Sequence, residues 1–162
     1  MSNVDTPNRD LSLLAPKFRS AIEAAIAECA SNNLPVKINE GFRSQSRQAW
    51  LYAQGRTRPG DIVTRAPTSL TSWHGYGLAV DVVHATKAYW PFGRWEKREN
   101  EAWFAQVAAF FKKNGCNWGG DFSHPDTPHM QWGRCTPSPT QNARDIFRSQ
   151  GVQAVWAKLS AA

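Results

Sequence analysis

The sequence predicts an α+β fold in one domain, and three observations carry that prediction. Helical and strand-like periodicities are interspersed without the regular βαβ alternation of a parallel sheet. A chain of 162 residues suits one hydrophobic core. No internal repeat or long linker divides it. Hydrophobic residues make up 41% and charged residues 20%, which are globular proportions rather than those of a disordered chain.

The elements follow in order. Residues 1–9 read as a flexible N-terminal tail, which leaves 10–162 as the domain. Leu14, Phe18, Ile22, Ile26 and Cys29 recur at helical spacing within 11–30, and Pro16 separates a short first turn from the main helix. Asn32-Asn33 stops that helix, and 36–38 reads as a short strand. Ser44 can cap a helix through Trp50 and Leu51 to Gln54, ended by Gly55. Pro59-Gly60 and Pro67 mark 56–71 as a long loop. Residues 78–83 form a strand in which Asp81 shares a face with Ala79 and Val83, while Leu78, Val80 and Val82 face the other way. A turn-rich aromatic stretch, 89–95, leads into an amphipathic helix from about residue 100 to Lys113, with Phe104, Val107, Ala108 and Phe111 on one side. Residues 118–128 read as a loop and 130–132 as a last strand. Two short helical pieces, around 143–147 and 152–159, close the chain as a C-terminal helical segment spanning about 140–160.

Composition narrows the partners without choosing one. A net charge of +6 and a pI near 9.6 favour polyanions. The basic residues are scattered, however, and form no dense block, so nucleic acid is not an expected partner. No run approaches the roughly 20 apolar residues of a membrane span. Stable membrane insertion is therefore not expected, and the polar start MSNVDTPNRD is no secretory signal. A basic C-terminal helix could touch a membrane surface; packing on the domain is the reading preferred. Cys29, Cys116 and Cys135 are odd in number and lack CxxC spacing, so reduced, mostly buried thiols are expected. With no obvious self-association face, the protein is expected to be a monomer.

The segment Ser72-Trp-His74-Gly-Tyr-Gly-Leu-Ala-Val-Asp81 carries the most chemistry. An aspartate inside an apolar strand is costly to bury unless something pairs with it. Gly75 and Gly77 permit a sharp backbone path that folds His74 back over the start of the strand. A carboxylate and an imidazole can then converge, and a third ligand is available in His84, His124 or His129. Two imidazoles and a carboxylate suit Zn²⁺ and leave a position for water. His129 opens the last strand, and Asp126, three residues earlier, is close enough to act as a base. Spacing alone does not decide this, because a His and an Asp seven residues apart are common.

The pattern Ser72-x-His74-x(6)-Asp81, with Asp126-x-Pro-His129 far downstream, resembles the LAS metallopeptidases, the fold group of lysostaphin-type, D-Ala-D-Ala and hedgehog-like proteins. Within it the chain is similar to VanY-type carboxypeptidases and phage L-alanyl-D-glutamate endopeptidases. Glu40-Gly-Phe-Arg43-Ser44, Gln48, the run from Leu51 to Gly60, Ile62-Val-Thr64 and Trp118-Gly-Gly-Asp121-Phe all share in that similarity, so it spans roughly residues 10–133.

The resemblance implies a small antiparallel sheet carrying the metal site, with helices packed around it. It implies Zn²⁺ held by His74, Asp81 and His129, with Asp126 as general base and Arg43 steadying the oxyanion. Ser72 would lie near the metal or the substrate backbone. Arg43 could instead pair with Glu40 or a helix end, Asp126 could form a turn, and Ser72 could be an ordinary loop residue. The implied activity is that of a zinc-dependent hydrolase of peptidoglycan stem peptides, cutting the L-Ala-D-Glu bond. The resemblance also suggests a phage endolysin, made in the host bacterial cytoplasm and acting in the periplasm or cell wall after holin-mediated release. The enzymatic alternative is a D-Ala-D-Ala carboxypeptidase, for which Arg56, Arg58 or Arg65 could bind the terminal carboxylate. A non-catalytic, zinc-containing wall-binding module is the alternative from another class.

Overall fold

Pro16 occupies the first turn of a helix, where its missing N–H costs nothing, and the Ser44 hydroxyl accepts from the Arg47 amide at the start of another. These two local signals act as the sequence predicts. The computed structural model describes residues 3–88 and 95–162. Its helices are α1 (Pro16–Ser31), α2 (Gln45–Ala53), α3 (Lys97–Lys113), α4 (Gln141–Gln150) and α5 (Val152–Lys158). Its strands are β1 (Val36–Glu40), β2 (Ala79–His84), β3 (Cys116–Trp118) and β4 (His129–Trp132).

The strands form one antiparallel sheet in the order β1-β2-β4-β3. Register decides what the sheet can do. Glu40 stands opposite Asp81, after an irregularity between Ile38 and Glu40, and Asp81 stands opposite His129. Three ionisable residues thus form one row across three strands. Val80, Val82 and Met130, which alternate with that row, cluster with Phe18 and Ile22 of α1 and with Phe104, Val107 and Phe111 of α3. All eight are fully buried.

Several boundaries differ from expectation for physical reasons. α3 begins at Lys97 because Glu96 and Glu99 form a reciprocal capping box before it. β3, three residues long, is too short to show alternation and exists through its pairing with β4. Two 3₁₀ turns, Ser69–Thr71 and Trp73–Tyr76, follow the loop. Gly77 ends the second in a left-handed conformation (φ 65°), where a side chain would collide with the Leu13 carbonyl. α4 starts at Gln141, where the Thr140 hydroxyl accepts from the Ala143 amide. Of the aromatic stretch 89–95, residues 89–94 lie outside those described; Trp95 packs edge-on against Trp103 and His84.

Both ends of the described chain touch the body. The Asn8 carbonyl accepts from the Gly41 amide at 2.7 Å, and the Val4 carbonyl accepts from Arg47 at 2.9 Å. At the other end the Trp156 indole donates to the Tyr76 carbonyl at 2.7 Å, and the Lys17 amide donates to the Ala161 carbonyl at 2.9 Å. The C-terminal segment therefore packs on the domain, and no described helix is long and apolar enough to cross a membrane. Trp73 and Tyr76 are core residues, 3% and 0% exposed. The three cysteines are buried free thiols, and burial pushes Cys29 up to about 11 and Cys116 up to about 12.

Candidate metal centre

The turn before β2 and the first residue of β4 bring two imidazoles to one carboxylate. His74 Nε2 lies 3.4 Å from Asp81 Oδ1, and His129 Nδ1 lies 3.5 Å from the same oxygen. Donor atoms of the three residues all fall within 4.8 Å of one another. The two imidazoles are buried, and Asp81 is half-buried at the open side.

The opposite atom of each ligand is already engaged. His74 Nδ1 lies 2.8 Å from the Gly41 carbonyl, which can only accept, so Nδ1 carries the proton and Nε2 is bare. Asp81 Oδ2 accepts from Arg43 Nη2 at 2.9 Å, leaving Oδ1. His129 Nε2 lies 2.8 Å from Gln131 Oε1. Three potential ligand atoms therefore face one point, with the His74 and His129 nitrogens 3.4 and 3.5 Å from the shared Asp81 oxygen. A His/His/Asp set with an open side fits Zn²⁺, and outer hydrogen bonds of this kind are how ligands are usually oriented.

Arg43 does not stand alone. Its Nε donates to Glu40 Oε1 at 2.5 Å, and Arg47 donates to Glu40 Oε2 at 2.7 Å. Burial works against an ionised Glu40, but Arg47 and Arg43 together bring its carboxyl below the ordinary range. For Asp81, burial likewise opposes the charge, while His74, His129 and Arg43 hold it well below the usual carboxylate range. Burial, helped by the Arg43 charge, pushes His74 down and keeps its imidazole neutral. Burial also opposes charge on His129, but the hydrogen bond and charge of Asp81 outweigh it and raise that group.

Asp126 Oδ2 lies 4.0 Å from His129 Nδ1, on a side chain 58% exposed. Burial and the neighbouring Asp81 carboxylate both push its carboxyl up. The side chain is open to solvent, so the Asp81 charge outweighs burial there. Its backbone is fixed: the Asp126 amide donates to the Gly119 carbonyl at 2.9 Å, and its carbonyl accepts from the His129 amide at 3.2 Å. Gly119 is required by this close approach, since a side chain there would run into the Asp126 carbonyl and His129. Ser72 sits at the entrance of the His74 turn, where its carbonyl accepts from the Gly75 amide at 2.9 Å. His124 is exposed and outside the cluster. His84, at the far end of β2, accepts from the Thr86 and Lys87 amides.

Sequence reasoning reached the three converging residues, Arg43 and Asp126, and missed Gln131, Arg47 and Gly119. Gln131 carried a readable signal. It is a polar residue in the strand His129-Met-Gln-Trp, two positions after a candidate ligand and hence on the same face. Arg47 carried none, since an arginine in a helix is normally solvated.

A family model described as D-alanyl-D-alanine carboxypeptidase matches residues 65–132, a span that holds Ser72, His74, Asp81, Asp126 and His129 but not Arg43. The chain is 35% identical over 122 residues to the peptidoglycan L-alanyl-D-glutamate endopeptidase CwlK of Bacillus subtilis (strain 168), covering 73% of this chain and 72% of that protein. The crystal structure of the Serratia marcescens L-Ala D-Glu endopeptidase ChiX matches with a TM-score of 0.56 at 25% identity, covering 76% of this chain and 83% of that one. The structure of the LD-carboxypeptidase LdcB matches at 0.55 and 16% identity, over 83% of this chain and 63% of that one, and speaks for the fold alone.

Proposed function

Because the chain belongs to the M15 family of metallopeptidases, we propose that it is a zinc-dependent peptidoglycan hydrolase that cuts the L-Ala-D-Glu bond of stem peptides. The observation that carries this reading is the convergence of His74 Nε2, Asp81 Oδ1 and His129 Nδ1 beside a carboxylate, Asp126, whose side chain is open to solvent. The choice of bond rests on the similarity to CwlK and ChiX, both named for it. The phage-lysis setting rests on the resemblance to phage endopeptidases alone.

His74, Asp81 and His129 would hold the ion, which when bound supplies Lewis-acid activation of a water and of the scissile carbonyl. Asp126 takes the proton of the attacking water and returns it to the leaving amine. Its raised carboxyl pKa suits a group that must both accept and give up that proton. Arg43 occupies Asp81 Oδ2, which leaves Oδ1 toward the two imidazoles, and its guanidinium would bring positive charge near the developing oxyanion. Ser72, at the mouth of the His74 turn, would meet the substrate backbone.

The carboxypeptidase alternative needs a cation for the terminal carboxylate. Arg56 donates to the Tyr52 and Thr64 carbonyls and stacks on Tyr52. Arg58 donates to the Trp50 carbonyl and stacks on Trp50. Both fasten the loop to α2, so the exposed Arg65 is the cation that the carboxypeptidase alternative would use.

The test is digestion of purified peptidoglycan with and without chelator, followed by mass analysis of the fragments. Zinc-dependent release of fragments with new D-glutamate amino termini is expected. Release of D-alanine alone would move the assignment to a carboxypeptidase. Zinc binding with no cleavage of any stem peptide would leave a wall-binding module.

A further inference from the structure

Gln131 is fully buried, 0% exposed, on the strand that carries His129. A buried amide must satisfy both its ends or lose stability, and here each end has one partner of fixed character. Oε1 lies 2.8 Å from His129 Nε2. Nε2 donates to the Thr136 carbonyl at 2.9 Å. A carbonyl only accepts, so the NH₂ end must face Thr136; flipping the amide would set oxygen against oxygen there. Oε1 is thereby fixed toward His129, and since an amide oxygen only accepts, the proton of the neutral imidazole is required on Nε2. The lone pair is left on Nδ1, the atom 3.5 Å from Asp81 Oδ1.

The Thr136 carbonyl is itself held. The Trp73 indole donates to it at 2.6 Å, and Trp73 directly precedes His74. One carbonyl in the segment after β4 thus ties together two side chains, one next to His74 in the chain and one bonded to His129. The two rings are fixed in opposite tautomers, His74 by a backbone carbonyl and His129 by a side chain.

We propose that Gln131 is a positioning residue that sets the tautomer and ring orientation of His129 and so presents Nδ1 to the metal. The inference rests on the metal reading above, and it concerns a residue that touches neither substrate nor ion. Loss of such an outer partner weakens metal affinity by about 10–100-fold.

Two measurements test it. The first needs no variant: long-range ¹H–¹⁵N spectra of the metal-free protein at alkaline pH report which nitrogen of His129 carries hydrogen. The Nε2–H form is expected, and an Nδ1–H form overturns the proposal. The second is competition of the protein with a chromophoric chelator for Zn²⁺ or Co²⁺, for wild type and Gln131→Met. Methionine keeps the volume and removes the acceptor. The variant should bind about 10–100-fold more weakly and show a mixed His129 tautomer. Equal affinity in wild type and Gln131→Met overturns the role of Gln131 and leaves the metal site standing. Absence of metal binding by the wild type overturns both.

Discussion

The two faces of the sheet are built from alternate residues of the same strands, and they obey different rules. Val80, Val82 and Met130 look toward α1 and α3 and bury apolar surface against Phe18, Phe104 and Phe111. Asp81, His129 and Gln131, their immediate neighbours, look the other way into a set of charges and hydrogen bonds. The first face is held by area removed from water and tolerates exchange of one hydrophobe for another of like volume. The second is held by matched donors and acceptors, and one missing partner leaves a buried polar group exposed to its full desolvation penalty. The comparison teaches that the dry face supplies stability and the wet face supplies chemistry, with a single residue step separating them.

The sharpest break should come from Asp126→Ala. If this carboxylate moves the proton, kcat on stem peptides falls by about 10²–10⁴, while the melting temperature and Zn²⁺ affinity stay near wild type. A fall in affinity of the same size would instead make Asp126 part of the metal's support. The converse break is Phe104→Ala on the dry face, 0% exposed. Urea unfolding should show a loss of about 3–5 kcal/mol, with metal affinity of the folded fraction unchanged.

Acid should separate the faces a third way. Glu40 titrates below its ordinary 4.5 because, against the cost of burial, it is bonded to Arg47 and Arg43. A carboxyl depressed in the folded state contributes stability that is fully present above its unfolded pKa and lost as pH falls through its folded one. Stability measured from neutral to acid pH should therefore decline below about pH 4.5, and Glu40→Gln should flatten that decline while lowering the neutral plateau. The smallest effect is expected off both faces. Arg19→Ala, which removes an exposed pair with Glu23, should change stability by about 0.3–0.5 kcal/mol, as seen in the same urea titrations.

Legibility in the sequence divides along the same line. The dry face announces itself by period: Phe18 and Ile22 in α1, Phe104, Val107 and Phe111 in α3, and the alternation from Leu78 to Val83 all point to their packing. Asp81 is legible as the one charged residue inside that apolar run. The order β1-β2-β4-β3 was not readable, because it depends on β3, whose three residues take their strand form from β4. The Glu40-Asp81-His129 row was not readable either, since it follows from a register shift between Ile38 and Glu40 that no local propensity encodes. Arg47 joins the site only because α2 follows β1 closely enough to turn its side chain back onto Glu40.

The indole of Trp156 closes on the carbonyl of Tyr76, two residues beyond His74, and that bond has a consequence in time. During synthesis at about 5–20 residues per second, roughly 1–5 s separate the emergence of His129 from that of Trp156. Throughout that interval every proposed ligand has left the ribosome, yet the turn that aims His74 lacks its outer clasp. A nascent chain should therefore acquire its tightest grip on metal only once Trp156 has emerged and closed on Tyr76.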